Sequence, residues 1–189
     1  HLGFHMDDLQ ENKKKSLEEL YEEVKRVLKQ FEKKYNKKIS LAVAGGIYSG
    51  LDIAKYFKLG ADAVQMGTRF IATEECDADM NYKKAFLNCS KEDIDIIKSP
   101  VGLPGRVIKN KFSNRVSKVK EEVYKCFNCL KRCNPKDTQY CISKALINSA
   151  KGNIDEGIIF SGSNGYKINE IKSVKELIKE LIMEVRECE

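Results

Sequence analysis

The chain has no run of apolar residues approaching the roughly 20 that a membrane-spanning helix requires, and it shows no signal-peptide pattern. With both features missing, no membrane-spanning helix is expected and the cytoplasm is the default compartment. No internal repeat or low-complexity tract interrupts the sequence. Histidine is scarce: His1 and His5 are the only two, and on composition alone a histidine beside a chain end is a solvated surface residue. The basic excess is also weak as a functional signal. The formal charge of +6 comes from 34 basic and 28 acidic residues, most of them interleaved along amphipathic stretches, which is the pattern of a solvated face. The densest basic stretch, residues 109–125, carries no nucleic-acid-binding motif.

What is present is enough for a real core. The 189 residues are 42% hydrophobic, with eight Tyr and eight Phe, and such a length suits one domain. Residues 39–68 organise the rest. Two short buried runs, residues 40–44 and 61–66, flank one helix and make a β-α-β unit. Both runs are nearly continuous small and apolar residues, the expectation for parallel strands covered on both faces. Gly45-Gly46 follows the first strand and Gly67-Thr68 the second, so both glycine sites fall at carboxyl ends of neighbouring parallel strands, where such sheets and barrels bind ligands. Glycine lets backbone N–H groups approach a phosphate closely, and Thr68 adds a hydroxyl where a helix start favours an anion. The pair reads as a phosphate grip.

Around this unit, Ser16 opens a helix with Glu19 completing a capping box, and Leu17, Leu20, Val24, Val27, Leu28 and Phe31 share one face. Ser49 and Asp52 repeat the capping signal before a helix whose Ile53, Ala54, Phe57 and Leu59 are expected to pack on the sheet, and Gly60 stops it. Further helices are predicted at residues 68–76, 81–88, 91–96, 116–123, 141–151 and 173–187. Residues 99–110 read as an irregular loop entering a short extended segment, and residues 157–168 as a short strand with a tight turn at Asn164-Gly165.

Seven cysteines in a protein expected in the cytoplasm argue against a disulfide framework. Cys126, Cys129, Cys133 and Cys141 are spaced C-x2-C-x3-C-x7-C, which matches neither a standard zinc-finger nor a standard ferredoxin pattern. The favoured reading is no metal and reduced thiols packed under the last helices; zinc or an iron–sulfur cluster is the alternative.

The stretch AGGIYSGLDIAKYFKLGADAVQMGTRF resembles the signature of the FMN-dependent nitronate monooxygenase (2-nitropropane dioxygenase-like) family. His1-Leu2-Gly3 matches the end of that family's E-A-G-G-H-x-G motif, and GLPGRVIKN and YCISKAL fit as well. The resemblance implies an α/β fold, the carboxyl-terminal part of a (β/α)8 TIM barrel (residues 1–76) with a helical carboxyl-terminal extension (residues 77–189). It implies FMN as cofactor, held by Gly45, Gly46, Gln65, Met66, Gly67 and Thr68, and His1 as catalytic acid or base. Gln65, near the end of its strand, is expected to need a polar partner, and Met66 to pack in the core and lend only its backbone.

At 189 residues the chain is short of the about 250 typical of such barrels. With the start inside a motif and no initiator Met, the expectation is that an amino-terminal portion lies outside it. The implied activity is oxidation of an alkyl nitronate, with dioxygen as co-substrate, to a carbonyl compound and nitrite. Partners are then small molecules, with neither nucleic acid nor membrane, and open strand edges would favour a homo-oligomer. Two alternatives stand beside it: an FMN-dependent enoyl-acyl carrier protein reductase, and a non-catalytic truncated barrel fragment.

Overall fold

The computed structural model describes Leu2, residues 15–131 and residues 133–188. Helix α1, Leu17–Tyr35, starts at the expected capping box: Glu19 N–H donates to Ser16 Oγ at 3.1 Å and Ser16 N–H to Glu19 Oε2 at 2.6 Å. Acidic Glu18 and Glu19 in its first turn and basic Lys33 and Lys34 in its last complement the helix dipole. Its inner contact is Tyr21, whose hydroxyl donates to the Leu59 carbonyl at 3.2 Å. The apolar stripe read from the sequence is largely open, with Leu20, Val24, Val27 and Phe31 all exposed, because the described elements meet α1 along the Tyr21 side instead.

Strand β1, Ala42–Ala44, pairs in parallel with β2, Ala63–Gln65, in the register Ala42↔Ala63, Val43↔Val64 and Ala44↔Gln65, with helix α2, Gly50–Leu59, as crossover. Only one face of this pair is covered. Val43 is buried and Val64 partly so, whereas Ala42, Ala44, Ala63 and Gln65 are exposed. The expectation of two covered faces is therefore corrected: small side chains gave a continuous apolar run on a sheet whose second face has no cover among the described residues. On α2, Ile53, Ala54 and Tyr56 are buried and Phe57 is exposed, so Tyr56 takes the inward place expected of Phe57 and meets Tyr21 edge-on at 6.2 Å.

The last helix, α6 (Val174–Arg186), lies across α2 and contributes Leu177 and Leu181 to the same core. The two backbones come so close that a Cβ on Gly50 would stand 2.4 Å from the Leu181 carbonyl oxygen. Glycine is the residue that permits this approach.

Between the barrel unit and α6, helix α3 (Met80–Leu87) forms near its expected place. Three other expectations change. Residues 68–76 contain only a 3-10 turn, Thr68–Phe70. Residues 91–96, expected to be helical, become a 3-10 turn at Lys91–Asp93 followed by strand β3, Ile94–Ile97, which pairs antiparallel with β4, Gly105–Ile108. The Ser90–Asp93 capping pair mimics a helix start, but three isoleucines in IDII prefer a pleated surface. Residues 117–123 form no helix; the helix, α4, is Lys111–Val116, which buries Phe112 and Val116 one turn apart. The lysine-spaced segment beyond has no comparable face.

Helix α5, Ile142–Ala150, leads through a 3-10 turn to an extended segment that adds to β4. Ile108 N–H donates to the Ile159 carbonyl at 2.9 Å and Ser161 N–H to the Arg106 carbonyl at 3.0 Å. Alternation along these strands divides two cores: Val107 and Ile158 face one, with Phe112, Val116 and Tyr140, while Ile108 and Ile159 face another, with Ala72, Phe86 and Ile168. This added strand carries residues 161–165 back toward the ends of β1 and β2.

Candidate phosphate-binding site

Gly45 and Gly46 leave β1 with φ of +104° and +72°, a region where a side chain is strained. An added Cβ on Gly45 would meet open space, so the backbone there is accessible to a ligand. The turn is fixed from its far side. Asp52 accepts from Tyr48 N–H at 2.9 Å, Ser49 N–H at 3.0 Å and the Ser49 hydroxyl at 3.1 Å, which ties the exit of the turn to the first turn of α2.

Burial alone would raise the Asp52 carboxyl, but the backbone bonds from Ser49 and Tyr48 and the Ser49 hydroxyl together hold it below its ordinary value. A carboxyl lowered in the fold stabilises the protein above its unfolded value of about 3.9 and ceases to do so as pH falls through the folded value. Asp52→Ala is thus expected to cost about 1 kcal/mol at pH 7, with a smaller difference from wild type in urea unfolding at pH 3.

Gly67 precedes the 3-10 turn Thr68–Phe70, in which Phe70 N–H returns to the Gly67 carbonyl at 2.9 Å. The two glycine sites are joined by a third segment that the sequence did not single out as functional. Gly162 N–H donates to Thr68 Oγ1 at 2.8 Å, and Asn164 Nδ2 donates to the Gly46 carbonyl at 2.5 Å. A Cβ on Gly46 would come within 3.1 Å of Ser163 Oγ. The signal that could have found this segment is SGSNG itself, small residues and two glycines at the end of an extended run, like the other two sites.

Thr68 accepts from Gly162 and can still donate its own hydroxyl proton outward. Arg69, next in sequence, turns the other way: it is buried, stacks over the Tyr48 ring with Cζ 4.4 Å from the centroid, and pairs through Nη2 with Glu180 Oε1 at 2.7 Å. Lys167 Nζ lies 5.7 Å from the same ring centroid, and the Tyr48 hydroxyl donates to the Lys167 carbonyl at 2.7 Å. Tyr48, directly beyond the Gly45-Gly46 turn, is thereby anchored among two cations.

The structure thus brings Gly45, Gly46, Gly67 and Thr68 to one end of the parallel pair. Met66 packs partly buried against the first core. Gln65 is exposed on the open sheet face, so its amide is not the buried group the sequence suggested. His1 lies outside the described residues. Leu2, its neighbour, donates its backbone N–H to the Pro104 carbonyl at 2.8 Å. The four clustered cysteines line a cavity formed by the connection between α4 and α5.

A parallel β-α-β unit with glycine turns at both strand ends makes this an α/β protein, and its likenesses to solved structures place it as the carboxyl-terminal part of a (β/α)8 barrel with an extension that combines helices and the β3–β4 pair. The chain belongs to the nitronate monooxygenase family, whose sequence pattern matches residues 1–184. A probable nitronate monooxygenase of Staphylococcus saprophyticus is 33% identical over 85 residues, 45% of this chain and 24% of that protein. FabK from Thermotoga maritima superposes with a TM-score of 0.66 at 31% identity, over 80% of this chain and 46% of FabK. The enoyl reductase domain of MlnA from Bacillus amyloliquefaciens, at 14% identity, shares the fold over 93% of this chain and 55% of its own length, with a TM-score of 0.71. The chain therefore spans about a quarter of the curated relative and under half of FabK.

Proposed function

We propose that this chain is part of an FMN-dependent oxidoreductase, a nitronate monooxygenase that converts alkyl nitronates with dioxygen to a carbonyl compound and nitrite. The observation that carries this reading is the meeting of the Gly45-Gly46 turn, the Gly67-Thr68 turn and residues 161–165 at one end of a parallel strand pair, in a member of the nitronate monooxygenase family. The residues suit a flavin phosphate: the open approach at Gly45 and Gly67 leaves room for an anion against the backbone, and Thr68 has a hydroxyl proton to donate. When bound, FMN supplies the redox chemistry, accepting electrons from the nitronate and passing them to dioxygen.

The chain's own part is to hold and orient. Gly45, Gly46, Gly67 and Thr68 grip the phosphate, Asn164 and Gly162 keep the two turns in place, and Gln65 and Met66 contribute from the end of β2. His1 is assigned the proton at the substrate carbon, a task that suits an imidazole with an unperturbed pKa of about 6.5. Residues 1–76 form the barrel portion in this reading and residues 77–189 the extension that packs on it.

The test is a paired assay, with FMN, of an intact barrel that contains this chain. Nitrite release and oxygen uptake on adding an alkyl nitronate, with no rapid flavin bleaching by NADH, are expected. Rapid bleaching by NADH without nitrite formation would assign it instead to the enoyl-acyl carrier protein reductases, and failure to take up FMN at all would mark a non-catalytic fragment.

A further inference from the structure

Residues 117–141 join α4 to α5 with no helix or strand among those described, although loops beyond about 12–15 residues without regular structure are uncommon in compact domains unless they are functional or disordered. What converges in this segment is sulfur. Cys126, Cys129, Cys133 and Cys141 all line one cavity of about 180 Å3, and none is in a disulfide. Cys126 Sγ accepts the backbone N–H of Asn128 at 3.3 Å, delivered by an Asn128 backbone held at φ 49°. The same thiol donates to Asn128 Oδ1 at 3.4 Å. Across the span of the four cysteines, residues 126–141, Lys131, Arg132 and Lys136 outnumber the single acidic Asp137, an excess of positive charge that would offset the negative charge of a tetrathiolate centre.

We propose that these four cysteines form a binding site for a soft metal, Zn2+ or an iron–sulfur cluster, which staples the connection between α4 and α5. Thiolate ligands select these centres, and both are commonly held by four cysteines. Among the described residues no three ligating groups already stand at metal-holding distance, so binding must draw the ring of thiols inward. The surroundings allow this. The segment is free of regular structure, while its two ends are fixed: Gln139 Nε2 donates to the Val116 carbonyl at 2.6 Å, and Cys141 is the residue that precedes α5. Leu130, between the second and third cysteines, already packs against the core around Tyr140. Closing the ring would fix a long loop on that core, so metal binding would contribute to folding and release protons from the thiols.

Protein purified anaerobically from medium containing zinc and iron is analysed for zinc, iron and acid-labile sulfide. About one zinc per chain, or iron with matching sulfide, is expected; sulfide separates a cluster from flavin absorption and from zinc. Cys126→Ser with Cys129→Ser should lose the metal, and Cys76→Ser with Cys188→Ser should keep it. If the first pair fails to fold, Cys133→His, which preserves a nitrogen-and-sulfur ligand set, should still hold zinc. The proposal is overturned if folded wild-type protein stays metal-free after Zn2+ addition and anaerobic cluster reconstitution, with all seven thiols titratable, or if metal survives loss of Cys126 and Cys129.

Discussion

Gly46→Val is expected to abolish retention of FMN while leaving the protein folded. The substitution acts through two independent obstacles. At φ +72° a β-branched residue is strained by more than the roughly 1–2 kcal/mol that an ordinary side chain loses in the left-handed region. Its Cβ would also press on Ser163 Oγ at 3.1 Å, in the segment whose Asn164 holds the Gly46 carbonyl. Relief requires either the turn or residues 161–165 to move, and either movement breaks the convergence with Thr68. A combined loss of about 3 kcal/mol corresponds to at least a hundredfold in affinity. Gly46→Ala, with the backbone strain but no branch, should fall between, near tenfold. Fluorescence titration of FMN measures both, with circular dichroism to check the fold; unchanged affinity in Gly46→Val would remove the phosphate assignment.

What the sequence disclosed and what it concealed divide by the range of the interactions. The boxes at Ser16 and Ser49 and the stop at Gly60 were legible, because each depends on residues within four positions of one another, and the β-α-β unit was legible because its two apolar runs and their glycine ends flank a single helix. Strand β3 was not, since Ser90 and Asp93 carry the same local signal as a helix start and only the pairing with β4 decides the outcome. The place of residues 161–165 at the site escaped notice for a related reason: Phe160 bridges to Val107 and Gly162 reaches Thr68, contacts far apart in sequence that no periodicity announces. The burial of α1 was overestimated because a helical stripe reveals which residues share a face, not what stands opposite it. Arg69 did leave a trace, a lone charge inside the apolar run around TRFIA, and its meaning came only from Tyr48 and Glu180.

Removing that charge is the second large effect. Arg69→Met, close in length and without the guanidinium, should lower stability by about 2 kcal/mol at pH 7. A desolvated cation over an aromatic ring contributes up to about 2 kcal/mol, and a charge-assisted hydrogen bond about 1.5–3; Arg69 makes one of each, to Tyr48 and to Glu180. Against this stands its Nε, buried and without a partner among the described residues, whose removal relieves a cost of about 1–3 kcal/mol. The full 3–5 kcal/mol of breaking a buried pair is not expected, because Glu180 is one-third exposed and keeps its bond to Lys172. The pH dependence follows from the same carboxylate. Its hydrogen bond to Lys172, opposed by burial and aided by the Arg69 charge, holds the Glu180 carboxyl below its usual range. The pair therefore stabilises the fold above about pH 4.3, the ordinary value for a glutamate, and loses that contribution as pH falls through the lowered folded value. Urea unfolding of wild type, Arg69→Met, Glu180→Gln and the double variant at pH 7 should give a clear coupling energy that shrinks by pH 3. An Arg69→Met cost that is the same at both pH values would show that Arg69 acts by packing against Tyr48 rather than through its charge.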